Sequence, residues 1–154
     1  MFSSDIGLAI LDFDGVLTDN RVYVMEDGRE AVVCHRGDGG GVGILQQTGI
    51  EVMILSAKRN PVVSARAEKL GIECRQNCSD KTAVTATLIE EKGIDPTRVM
   101  DVGNDTNDAG AMALVGHPAA PADAHPSILK IAKTVTNAKC GHGVVREIAD
   151  WIVG

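Results

Sequence analysis

Aromatic side chains are scarce in this 154-residue chain: two Phe, one Tyr and one Trp, or 3% of the sequence. Its 44% hydrophobic content must therefore build a core mainly from Val, Ile, Leu and Ala, residues that suit flat strands covered by helices. Positive charge is short as well. There are 15 Lys and Arg against 21 Asp and Glu, a formal charge of −6, and no basic run. That balance argues against nucleic acid or an anionic membrane as a partner, and any anionic substrate needs its cations gathered at one place. No apolar run is long enough to span a bilayer, and no basic-then-apolar leader precedes "MFSSDIGLAI", so the expectation is a cytoplasmic protein. The four cysteines, Cys34, Cys74, Cys78 and Cys140, form no C-x-x-C pair. Cys74 and Cys78 lack the second close pair that a structural zinc site requires, so reduced thiols are expected. The length fits one domain, residues 1–154, on the usual prior of roughly 100–200 residues per domain.

Short β-branched runs alternate with amphipathic segments along the chain. Ile6–Leu11, Ile50–Ser56, Ile72–Arg75, Arg98–Val102, Val115–Ala120 and Val135 read as strands. Helices are predicted over Val42–Thr48, from Pro61 to a stop at Gly71, from a cap at Asp80 to a stop at Gly93, through Met112 and Leu114, over Pro126–Lys133 and over Val144–Val153. Residues 21–35, "RVYVMEDGREAVVCH", form two alternating runs around Asp27-Gly28, a hairpin signal. Strand–helix alternation predicts an α/β fold, a doubly wound, mostly parallel sheet with helices on both faces. In such sheets the active site lies beyond the carboxyl ends of the strands.

Polar groups stand at those ends. "ILDFDGVLTD" closes the first strand with Asp12 and Asp14, which alternation places on one side of the chain. Two like charges there repel unless a cation sits between them; the plain alternative is a polar strand end with an Asx turn at Asp14-Gly15. Ser56 follows "EVMIL", Lys81 follows "NCSD", and "GNDTND" (Gly103 to Asp108) follows "RVMDV". Each has an ordinary explanation taken singly: Ser56 as a turn residue, Lys81 as a solvated first-turn lysine, Asp105 and Asp108 as helix caps. Their joint occurrence at successive strand ends suits phosphoryl transfer, which needs an in-line nucleophile, cations around the transferring oxygens and a proton donor for the leaving group. Mg²⁺ takes oxygen ligands of this kind. "RGDGGGVG" lacks the G-K-[ST] of a P-loop.

"DFDGVLTD", the hydroxyl closing "VMILS", "DK" and "VGNDTND" resemble the four signature motifs of the haloacid dehalogenase (HAD) superfamily of phosphatases. The stretches "GDGGGVGILQQTGIEVMILSAKRNPVVSARAEKLGI", "PADAHPSI" and "GHGVVREIADWI" are similar to its small cap-less subclass, which acts on nine-carbon sialic-acid-type 9-phosphates and on 3-deoxy-manno-octulosonate 8-phosphate. "NPVVSAR" resembles the phosphatase-type domain of acylneuraminate cytidylyltransferases. The resemblance implies a Rossmann-like core with a small β-hairpin and no cap domain; the motif spacings leave no room for one. It implies Asp12 as nucleophile and metal ligand, and Asp14 as general acid/base that also gives its carbonyl to the metal. Ser56 and Lys81 would hold the phosphate, with Ala57 and Lys58 in the substrate-binding stretch. A Mg²⁺ site would draw on Asp12, Asp14, Asn104, Asp105 and Asp108. Two positions depart from the pattern. Asn104 stands where the family usually has Asp, and Lys58 where octulosonate phosphatases carry Arg and the nine-carbon type often Glu, which leaves the sugar open. "DGGG" at Asp38 to Gly41 corresponds to the family's D-G-x-G turn. The resemblance further implies a homotetramer built on the hairpins, whose apolar residues Val22, Val24, Val32 and Cys34 present a face to be covered; the alternative is a hairpin folded onto its own domain. His125 and His142 are candidates for groups beside the site.

The reading this supports is a Mg²⁺-dependent phosphatase of a small sugar-acid phosphate, working through an aspartyl-phosphate. Two others stay open. One is a degenerate domain serving as a tetramerisation module beside sialic-acid-type sugar activation. The other is a phosphoacceptor receiver, although a receiver's phosphorylated Asp ends a middle strand and lacks D-x-D.

Overall fold

The computed structural model describes residues 5–154; residues 1–4 of the predicted domain lie outside the described residues. The elements run β1 (Leu8–Leu11), β2 (Tyr23–Val24), β3 (Glu30–Ala31), α1 (Arg36–Gln47), β4 (Glu51–Leu55), α2 (Pro61–Leu70) and β5 (Glu73–Arg75). They continue with α3 (Lys81–Lys92), β6 (Val99–Val102), α4 (Ala109–Met112), β7 (His117–Ala120), α5 (Pro126–Leu129), β8 (Thr134–Val135) and α6 (Val144–Val153). Six strands form one parallel sheet in the order β5-β4-β1-β6-β7-β8, and β2 and β3 make a separate antiparallel hairpin.

A parallel sheet covered on both faces needs strands that are apolar throughout. β1, "LAIL", is buried at all four positions. Ala9 and Leu11 face the layer holding Val42, Leu45, Val145 and Ile148 of α1 and α6. Leu8 and Ile10 face the layer holding Met53, Leu88 and Ile89. β1 lies in the centre, Leu11 opposite Ile54 of β4 on one side and Val102 of β6 on the other. The residues following those three strands therefore emerge together.

Helix boundaries follow local chemistry at α2 and α3. Asn60 accepts from Val62 N, Pro61 takes the first helical position, and Gly71 closes α2 in the left-handed conformation. Asp80 caps α3 through Ala83 N, and Gly93 closes it. α1 departs from expectation. It begins at Arg36 rather than Val42, so Asp38 to Gly41 are helical and not a turn. The His35 ring caps this start by accepting from Gly37 N at 3.0 Å, and α6, which has no side-chain cap of its own, packs on it. The buried Asp38 carboxylate, from the first turn of α1, accepts from Arg146 N at 3.1 Å instead. A Cβ on Gly41 would stand 2.8 Å from the Arg146 Cα, so the glycines let two helix backbones approach. α5 is shorter than predicted: Lys133 N donates to Pro118 O at 2.9 Å, which draws the chain away toward β8. The predicted hairpin face also divides. Val22 and Val24 are exposed, whereas Val32 and Cys34 are half-buried against the core.

Candidate active site

Asp12 continues β1 by one residue, its N–H donating to Val102 O at 3.0 Å. The chain then turns through Phe13–Leu17, closed by Thr18 N donating to Phe13 O at 3.1 Å. Phe13 points into the core, which sends Asp12 and Asp14 together to the cleft, as alternation predicts. The Thr18 hydroxyl braces this turn. It accepts from Gly15 N and donates to Asp14 Oδ1 at 3.2 Å. Gly15 has φ +86°, and a Cβ there would overlap the Asn104 amide.

Lys81, the first residue of α3, is buried to 4% exposure beneath the cleft. Its Nζ donates to Asp12 Oδ1 at 2.9 Å and to Asp108 Oδ1 at 2.7 Å. Asp108 Oδ2 accepts from Asn104 N at 2.9 Å and Asp105 N at 3.2 Å, so this carboxylate folds the loop after β6 and pins Lys81 at once. Burial pushes the Asp12 carboxyl up to about 7, with the Asp108 charge adding to the rise and Lys81 opposing it. Burial pulls the Lys81 ammonium down, but the charges of Asp12 and Asp108 outweigh it and hold it above the ordinary lysine value.

Asn104 meets both acids. One of its amide atoms lies 2.7 Å from Asp12 Oδ2 and 3.1 Å from the Asp14 carbonyl oxygen. As nitrogen, that atom donates to both. Turned the other way, the oxygen of Asn104 joins a carboxylate oxygen and a carbonyl oxygen around one point, a trio that repels itself without a cation. All-oxygen donors of this kind fit Mg²⁺, and an amide supplies the ligand atom without the charge.

Around these groups opens a cleft of ≈ 930 Å³. Asp12, Asp14, Ser56, Ala57, Lys58, Asn104 and Asp105 line it, while Lys81 and Asp108 lie beneath. Ser56, just past β4, donates from Oγ to Lys58 O at 3.2 Å. Asp105 is exposed, with Oδ1 accepting from Thr106 N at 2.7 Å. His125 and His142 are exposed and outside the lining; His125 does anchor the site by its backbone, N–H to Asn104 O at 2.8 Å.

Several members of the site stand outside the four motifs. Arg59 and Asn60 line the cleft, as do Arg21, Arg29 and Glu30 of the hairpin. The hairpin arginines are held by near neighbours, Arg21 by Asp19 at 3.0 Å and Arg29 by Asp27 at 2.7 Å. Lys58 and Arg59 are exposed, and neither has a side-chain partner among the described residues. Asp101 is the other omission. It is buried inside β6, and burial together with the charges of Asp108 and Asp12 raises its carboxyl to about 8, against the pull of Lys81. The one available signal was an acid inside the apolar run "RVMDV".

Residues 56–148 match the haloacid dehalogenase-like hydrolase family. The chain is 37% identical over 152 residues to the 3-deoxy-D-manno-octulosonate 8-phosphate phosphatase of Yersinia pestis, an alignment covering 98% of this chain and 81% of that protein. A crystal structure of a HAD family hydrolase from Streptomyces avermitilis superposes with a TM-score of 0.97 at 47% identity, over 100% of this chain and 88% of that one. The octulosonate 8-phosphate phosphatase of Moraxella catarrhalis, solved with magnesium, phosphate and KDO, superposes with a TM-score of 0.93 at 27% identity, over 97% of this chain and 87% of that one. With a carboxylate pair, a buried lysine and a hydroxyl brought to one edge of a parallel sheet, and with relatives matched over nearly its whole length, the chain belongs to the haloacid dehalogenase-like hydrolases, on their phosphatase branch.

Proposed function

We propose that the chain is a Mg²⁺-dependent phosphatase that hydrolyses a small sugar-acid phosphate, of the octulosonate 8-phosphate or nine-carbon acid 9-phosphate type, through an aspartyl-phosphate on Asp12. The observation that carries this reading is the bridge from Lys81 Nζ to Asp12 Oδ1 at 2.9 Å and Asp108 Oδ1 at 2.7 Å, with Asn104 facing the other Asp12 oxygen. The substrate class rests on the relatives, which are named as octulosonate phosphate phosphatases. Lys58, where the family varies, leaves both sugars in the proposal.

Asp12 is held for in-line attack. Phe13 N and Lys81 fix Oδ1, so the carboxylate cannot swing away from the cleft. Its oxygen bonds to phosphorus while the ester oxygen departs, and Asp14, exposed at the cleft, gives that oxygen its proton. Asp14 then takes a proton from the water that splits the acyl phosphate, releasing phosphate and restoring both acids. Lys81 has three N–H donors, of which two are engaged, leaving one for a phosphoryl oxygen; the Ser56 hydroxyl serves another. Asp12, the Asp14 carbonyl and Asn104 would hold Mg²⁺ directly, which supplies positive charge against the transferring oxygens. Asp108, with both oxygens engaged, and the exposed Asp105 add charge around it.

Assembly as a homotetramer through the hairpin belongs to the same proposal, supported by Tyr23 at 66% and Val24 at 68% exposure. Among the described residues no helix is long and apolar enough to cross a membrane.

The test is a hydrolysis screen over sugar phosphates, with and without Mg²⁺, that includes octulosonate 8-phosphate and nine-carbon acid 9-phosphates. Metal-dependent phosphate release from one of the sugar acids is expected. A folded protein that releases phosphate from none of them would return the chain to the interaction-module reading.

A further inference from the structure

The hairpin wall of the cleft is loosely attached. Residues 20–30 are all exposed, and the paired part of the hairpin is two residues on each strand. Near its base, Thr18 pairs with Cys34. Farther out, Glu30 reaches across the cleft and its Oε2 accepts from Asn60 Nδ2 at 2.7 Å. Asn60 is anchored on every other side. Its Oδ1 accepts from Val62 N at 3.1 Å at the start of α2, and its backbone N–H donates to Gln76 Oε1 at 2.7 Å. The bond to Glu30 therefore ties the sparsely paired hairpin to a fixed post.

The post stands next to Lys58 and Arg59, the cleft cations without a side-chain partner among the described residues. Lys58 and Arg59 sit between Ser56, whose hydroxyl holds the Lys58 carbonyl, and Asn60. A phosphoryl group at Asp12 and Ser56 leaves the distal end of a sugar-acid substrate between the hairpin and these cations.

We propose that Glu30 is a positioning residue, whose hydrogen bond to Asn60 holds the hairpin at the distance from Lys58 and Arg59 at which the far, carboxylate-bearing end of the substrate binds. The inference rests on the phosphatase reading above. A carboxylate gives a charge-assisted bond to the Asn60 amide, and the side-chain oxygen of Gln keeps the acceptor at nearly the same reach. A substrate too small to reach the rim does not sense the clasp.

The test compares wild type, Glu30→Ala and Glu30→Gln on two substrates: p-nitrophenyl phosphate, and whichever sugar-acid phosphate the wild type turns over fastest. Glu30→Ala is expected to raise KM for the sugar acid about five- to tenfold, the range set by losing one solvent-exposed hydrogen bond, with kcat and the aryl phosphate kinetics within about twofold. Glu30→Gln should restore most of the KM. Amide hydrogen exchange over residues 20–33 should quicken in Glu30→Ala and not in Glu30→Gln. An unchanged KM, or an equal loss on both substrates, overturns the proposal. Wild-type protein inactive on both substrates would defeat the phosphatase reading and the clasp's role with it, a result read from the wild-type control alone.

Discussion

One ammonium, that of Lys81, serves a crowd of acids. It bonds to Asp12 and Asp108, and Asp101 lies buried where all three charges act on it. Three ionised carboxylates around one buried cation would leave uncompensated charge in the interior, which is costly. The protein keeps Asp101 neutral instead, its carboxyl raised from 3.8 to about 8. Between those values the native state binds a proton that the unfolded chain has released. The associated stability is therefore complete below the unfolded value and is lost as pH rises through the folded one. Asn is isosteric with the neutral acid and does not titrate. Asp101→Asn should therefore already melt above wild type at about pH 6, by a margin that widens up to about pH 8 and levels off beyond it, in thermal denaturation with a chelator present. A gap that does not widen with pH would show that Asp101 is not held protonated. Asp12→Asn has a different signature: phosphate release should fall at least about a thousandfold, because an amide cannot carry the phosphoryl group, while circular dichroism shows the fold retained. The motif residues Asp12, Asp14, Ser56 and Asn104 were legible in the sequence, since each follows a strand whose apolar run announces it, and Lys81 was legible from the helix cap at Asp80 before it. Asp101 was not, because its meaning depends on which charges the fold places behind it.

The helices divide in the same way. Asp80 and Gly93 mark the ends of α3, and Pro61 and Gly71 those of α2, through chemistry within a turn of the boundary. The start of α1 has one local mark, the His35 ring nitrogen that accepts from Gly37 N at 3.0 Å, and the glycines that follow obscure it. Four glycines beside Asp38 read as a turn, and the backbone of α6 packs on them, taking a cap from Asp38 and contact from Gly41. Two effects oppose each other at that contact. Helix propensity alone makes Gly→Ala favourable by about 1 kcal/mol. The added Cβ would stand 2.8 Å from the Arg146 Cα, the Arg146 N and the Val145 O, all rigid backbone, and overpacking of this kind costs about 1–3 kcal/mol. Gly41→Ala is therefore expected to destabilise the protein by up to about 2 kcal/mol net, measured by urea denaturation. A gain in stability would mean that α1 and α6 separate easily and that the glycines serve some other end. The rim of the cleft was likewise unreadable: Arg59, Asn60 and Glu30 become neighbours only when the hairpin meets the loop after β4, and no local pattern records that meeting.

The molecule as a whole presents a run of exposed apolar side chains on a sparsely paired hairpin. Val22, Tyr23, Val24 and Met25 are 47%, 66%, 68% and 43% exposed on a hairpin paired at two residues per strand. An isolated two-stranded hairpin is marginal in water. Its outer edges also leave backbone donors and acceptors free to pair with another chain. Val32 and Cys34 pack against the core, so the base of the hairpin is satisfied by its own domain and the unsatisfied part is the outer strand. Burying that strand against copies of itself would remove the apolar patch and complete the hydrogen bonding at the same time. It would also brace the cleft wall from outside, where Glu30 braces it from within. Replacing Tyr23 and Val24 together by Glu and Asp places like charges on every copy of the contact. Light scattering is expected to find the wild type assembled, as proposed, and the double variant monomeric, with the fold retained and turnover of p-nitrophenyl phosphate within about threefold, since Asp12, Lys81 and Asp108 all come from one chain. A wild-type protein that is monomeric at concentrations of about 100 μM, or a double variant that still assembles, would place the hairpin outside any interface.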